Sequence, residues 1–189
     1  DGRYLQRYPV NVDRAHGSKK YDVDGSEIID YWAGHGAMLL GHSHPAVVDA
    51  VQQAVTRATH PGACHEGELI WGEWVRKLVP SAEKMRFTNS GTEATLMALR
   101  LARIISGKQK VIKFAGHFHG WHDLLAPANE PPNEAGEYSF PGLTDGVVGD
   151  VVLVPPNDID ALAQAIDEHD PCCVIHEGNG TRWGAGPAE

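Results

Sequence analysis

Apolar residues recur every three to four positions in the longer stretches of the chain and fill short unbroken runs between them, which predicts alternating helices and strands. Val47, Val48, Val51, Ala54, Val55 and Ala58 form one stripe of a helix that Pro45 opens and that runs to about Arg57. A second helix is expected from about Glu66 to Val79, stopped by Pro80. Met85–Thr88 has the length and apolarity of a strand, and the amphipathic run Glu93–Ser106 follows as a helix with Gly107 as its stop. The strands Lys110–Phe114, Val151–Val154 and Cys172–His176 then frame a helix from about Asp158 to Glu168. This order predicts an α/β layer with a largely parallel sheet. Upstream, Asp24-Gly25 supplies tight-turn chemistry for a hairpin in the Gly-, Asp- and aromatic-rich residues 1–40. The run Leu124–Asp150 lacks periodicity and is expected to be a functional loop.

Composition narrows the class. With 189 residues, 42% apolar and 22% charged, the chain is an ordinary globular one with room for a core and an attached lobe. A net charge of −9 argues against a nucleic-acid surface. No run is long enough to span a bilayer, and no signal-peptide pattern opens the chain. Its first residue is Asp1 rather than Met, so further residues are expected upstream. The three cysteines, Cys64, Cys172 and Cys173, form neither a disulfide framework nor a zinc spacing; the expectation is a reducing, cytoplasmic setting, with Cys172 and Cys173 starting a buried strand.

Three segments carry candidate chemistry. Between the strand at 85–88 and its helix stands Asn89-Ser90-Gly91-Thr92-Glu93, a turn that leaves free amides at a helix start. A phosphate there would gain roughly 1.5–3 kcal/mol per charge-assisted hydrogen bond and roughly 0.3–1 kcal/mol from the helix dipole. Gly91 admits close approach, and the hydroxyls of Ser90 and Thr92 can donate. The same residues fit a capping box, Ser90 capping and Glu93 reaching back, and the two uses compete for the same amides. The strand ending at Phe114 runs into Gly116-His117-Phe118-His119-Gly120-Trp121-His122-Asp123, at the sheet edge where α/β proteins bind ligands, so an aromatic ring there is placed to stack on a planar group. Alternatively His117, His119 and His122 could ligate a metal in a hydrolase, although Trp121 occupies the place of the Asp in the H-x-H-x-D-H pattern. At a third strand end, Glu177 precedes Gly178-Asn179-Gly180-Thr181, either as a ligand-orienting acid or as a solvated terminus.

Taken in order, Asp22-Val23-Asp24-Gly25 with Ile29-Asp30-Tyr31, Gly41-His42-Ser43-His44-Pro45, Thr88 to Ala94, Phe118-His119-Gly120 and Val174-Ile175-His176-Glu177 resemble class III pyridoxal-phosphate aminotransferases. These are fold-type I enzymes, and the nearest branch is glutamate-1-semialdehyde 2,1-aminomutase and its aminotransferase relatives. The resemblance covers nearly the whole chain, most specifically Phe87–Ala102. It implies an N-terminal segment over residues 1–60, part of a small domain, and the first part of the large cofactor-binding domain over 61–189. It implies pyridoxal 5′-phosphate as cofactor, its phosphate on Ser90, Gly91 and Thr92, its ring stacked by Phe118 in the position usually held by Tyr, and His119 and Glu177 beside it. Gly178 stands where the family has Pro after that Glu, and Asp123 matches an acid without an assigned role. It implies a small amine and a carbonyl compound as substrates, and a homodimer. The family's Asp for the pyridine nitrogen and its later Schiff-base Lys have no counterpart: Lys19, Lys20, Lys77, Lys84, Lys108, Lys110 and Lys113 all lie in other contexts. The chain is therefore expected to be the N-terminal portion of an aminotransferase or aminomutase, or else a non-catalytic module that keeps the fold without the lysine.

Overall fold

A computed structural model describes residues 10–130, 132 and 135–178. The chain divides into two compact units, Asp1–Glu83 and Lys84–Glu189. In the first, β1 (Val12–His16), β2 (Lys19–Asp22) and β3 (Glu27–Ile29) form an antiparallel meander. The expected hairpin is there: Asp22 Oδ1 accepts the amides of Asp24 at 3.1 Å and Ser26 at 2.7 Å, and Gly25 takes φ +85°. The strand β1 was not marked by its sequence, because Val12-Asp13-Arg14-Ala15-His16 has no apolar run. Asp30 accepts from His42 Nε2 at 2.6 Å and pairs with Lys20 at 3.0 Å. Those partners, His42 foremost, hold its carboxyl well below the usual carboxylate range. Helices α1 (Pro45–Val55) and α2 (Glu66–Leu78) follow where the periodicity predicts them, and neither contains a buried residue.

In the second unit the order is α3 (Gly91–Ser106), β4 (Val111–Phe114), α4 (Asp145–Gly149), β5 (Val151–Val154), α5 (Ile159–His169) and β6 (Cys173–Ile175). The three strands are parallel in the order β5-β4-β6, so the α/β expectation holds and α5 carries the chain across β4. The expected strand at 85–88 is absent: no ladder partner lies beside it among the described residues, and the segment is irregular. Part of the long loop, in contrast, is the short helix α4.

Strand β4 is buried along its length and its side chains alternate between two small cores. Ile112 and Phe114 pack with Val154 and Ala165, on the side of α5. Val111 packs with Leu99 of α3 and with Leu125. Caps fix the helix ends: Asp158 Oδ1 accepts the Ala161 amide at 2.9 Å, and Gly107 takes φ +70° with its amide on Arg103 O at 2.9 Å. Burial and the neighbouring Cys172 push the Cys173 thiol up to about 12, as suits an inert strand residue. Among the described residues no helix is long and apolar enough to cross a membrane.

Candidate active site

The first turn of α3 resolves the competition between cap and anion. Ser90, extended at φ −153° and ψ 160°, accepts the Glu93 amide on its hydroxyl at 3.2 Å. Glu93 Oε2 in turn accepts the Asn89 amide at 2.7 Å, one residue earlier than a standard capping box. The cap therefore takes the amides of Asn89 and Glu93, while those of Gly91 and Thr92 have no partner among the described residues. The two uses do not compete, contrary to the expectation from sequence. The Ser90 hydroxyl keeps its own proton free to donate, and a Cβ on Gly91 would meet nothing within 4 Å. Two open amides, the positive end of a 16-residue helix and clear space beside them suit an anion.

The aromatic–histidine turn is seated on this helix start. Gly120, at φ +114°, lies so close to Thr92 that a Cβ would stand 2.7 Å from its Oγ1 and 2.9 Å from its Cα. The Trp121 amide donates to Thr92 Oγ1 at 3.3 Å. One turn further along α3, Thr95 Oγ1 lies 2.8 Å from His119 O and 3.2 Å from His122 Nε2. Phe118 is half-buried and its ring meets that of Trp121 edge-on at 5.3 Å. The structure thus brings Ser90, Gly91, Thr92, Phe118 and His119 into one neighbourhood.

Glu177 joins it through the ends of adjacent strands. Its amide donates at 2.9 Å to Nδ1 of His117, a side chain only 2% exposed. That bond fixes the neutral tautomer with the proton on Nε2. Among the described residues, His117 Nε2, His119 Nε2, His122 Nδ1 and Glu177 Oε2 are buried without a hydrogen-bond partner. Burial lowers all three imidazoles, His119 to about 4, so they stand neutral at ordinary pH. The metal-hydrolase alternative finds no support in the geometry. No three His, Cys, Asp or Glu side chains among the described residues are disposed to share an ion. Residues 179–181, which follow Gly178, lie outside the described residues.

Behind the turn lies Lys113, fully buried on the α3 side of β4. Its Nζ donates to Leu125 O at 2.8 Å, Pro127 O at 2.5 Å and Asn129 Oδ1 at 2.6 Å. Burial pushes its pKa down to about 7 against the pull of Glu177, while three acceptors match the three ammonium protons. Asn129 Nδ2 donates at 2.9 Å to Gly120 O. Thr95 and Asn129 carry no mark in the sequence, but Lys113 does: a lone cation inside Val111-Ile112-Lys113-Phe114 is a buried charge that needs partners.

Comparison with known proteins accounts for most of the chain. The aminotransferase class-III family model matches residues 3–165. A glutamate-1-semialdehyde 2,1-aminomutase of Rhodopirellula baltica is 44% identical over 162 residues, 85% of this chain and 37% of that protein. The enzyme of that name from Methanopyrus kandleri is 41% identical over 169 residues, 89% of this chain and 39% of its own. A solved transaminase with PLP bound superposes with a TM-score of 0.91 at 34% identity, covering 98% of this chain and 44% of that one. The chain thus spans about two-fifths of the length of the curated relatives it matches.

Proposed function

The chain belongs to the class-III aminotransferase family, whose enzymes depend on pyridoxal phosphate, and from that premise we propose that it supplies the phosphate- and ring-holding part of the cofactor site in an amino-group-transfer enzyme. The carrying observation is the seating of Gly120 on Thr92, which puts open helix-start amides and an aromatic turn side by side. The amides of Gly91 and Thr92 with the hydroxyls of Ser90 and Thr92 would hold the phosphate, and Phe118 would cover the ring. Nε2 of His119 and Oε2 of Glu177, unpartnered among the described residues, are polar atoms that a ligand's own groups can satisfy. Bound there, the cofactor's ring supplies an electron sink for the bond broken at the substrate carbon. These residues would anchor and orient it. Exchange between two molecules and migration within one need the same anchor. The two curated relatives carry the aminomutase name, which favours migration, with glutamate-1-semialdehyde as the substrate class.

Reversible binding tests the reading without involving the covalent step. In the full-length protein, pyridoxamine phosphate should bind at least about tenfold more tightly than pyridoxamine by fluorescence titration, one charge-assisted contact being worth roughly that ratio. Equal affinities would contradict a phosphate site.

A further inference from the structure

We propose that Lys113 is a positioning residue of this site: through Asn129, its buried ammonium holds the Gly120 carbonyl and so seats the aromatic–histidine turn on the start of α3. The inference rests on the cofactor reading for what the seat serves, but the seat itself is a matter of the chain's own bonds. Each link is polar and directional. As an ammonium Lys113 only donates, so Asn129 turns Oδ1 toward it. That leaves Nδ2 facing Gly120 O, an acceptor only, and the amide's orientation is set by chemistry at both ends. The other two ammonium protons go to Leu125 O and Pro127 O, main-chain carbonyls turned in toward the sheet. Between them and Asn129, Ala128 is held at φ +53°, a conformation few residues with a Cβ adopt, and its carbonyl takes the Gly116 amide at 3.0 Å. The loop 125–129 is thus bound along its length to the strand through Lys113, and through Ala128 and Asn129 to both ends of the turn, Gly116 and Gly120. Gly120 then bears on Thr92, whose amide is one of the two open donors. An apolar side chain at 113 would fill the space, yet take from Leu125 O, Pro127 O and Asn129 Oδ1 the donor that Lys113 supplies.

Asn129→Asp separates positioning from mere packing. It keeps the size and an even better acceptor for Lys113, but sets an acceptor against Gly120 O. Cofactor-free protein is followed by amide hydrogen exchange at residues 117–121, and binding by titration with pyridoxamine phosphate. The expected result is a melting temperature held within a few degrees, exchange in the turn about tenfold faster, and affinity about tenfold weaker; Lys113→Met should move both readouts the same way. Wild-type exchange and wild-type affinity in Asn129→Asp would overturn the proposal, whether or not Lys113→Met folds. If the wild-type protein does not prefer pyridoxamine phosphate over pyridoxamine, the cofactor reading falls, and the exchange rates still decide whether Lys113 and Asn129 hold the turn.

Discussion

A Cβ at Gly120 has nowhere to go, whereas one at Gly91 meets open space, and the two glycines of the site therefore answer different demands. Gly120 serves the protein's own packing. Gly120→Ala is predicted to cost about 2–4 kcal/mol, from a strained φ of +114° and from overlap with the Thr92 main chain. Chemical denaturation measures it, and a loss below about 0.5 kcal/mol, the range of neutral surface changes, would contradict the close seating. Gly91→Ala in the same assay should fall inside that neutral range. Lys113 teaches a related lesson about single residues. Its place in an apolar strand announces a buried charge, but not its partners, which arrive from a loop 12 to 16 positions away.

Among the elements, the turn after β4 gathers the titrating groups. His117, His119 and His122 are each lowered by burial, so between about pH 4 and 6.5 the folded chain binds fewer protons there than the unfolded one. Stability then falls as pH drops through that window and is insensitive to these groups above it. Urea midpoints at pH 7.5, 6 and 5 should decline, and His119→Gln should flatten the decline; an unchanged slope would remove His119 as a contributor. The elements themselves were legible where periodicity was strong: α3, α5 and the three parallel strands begin and end within about two residues of their sequence signals. The failures have physical causes. Met85–Thr88 is apolar enough for a strand, but a strand also needs a neighbour to bond, and sequence at that point does not supply one. β1 is a strand through pairing with β2 despite its polar sequence. The cap at α3 was legible as a motif, yet which amides it would leave open depended on Glu93 reaching Asn89 rather than Ser90.

Over the whole molecule, every residue assigned to the site belongs to the unit Lys84–Glu189. Apolar side chains along the helices remain largely open, among them Leu101, Ile104 and Ile105 of α3, the last 77% exposed. The site is thus built by one βα neighbourhood: the start of α3, the turn after β4, the end of β6 and the loop that Lys113 gathers. The proposed phosphate site rests on bare main-chain amides at the start of α3, and one substitution removes a single such amide with little else disturbed. Proline is well accommodated at the first position of a helix, Ser90 before it is already extended, and, its chain neighbours and own helix backbone apart, nothing lies within 4 Å of the Cβ position at Gly91. In Gly91→Pro, the melting temperature and the binding of pyridoxamine should be unchanged, and pyridoxamine phosphate should bind about tenfold more weakly. Undiminished affinity for pyridoxamine phosphate in that variant would contradict the phosphate site.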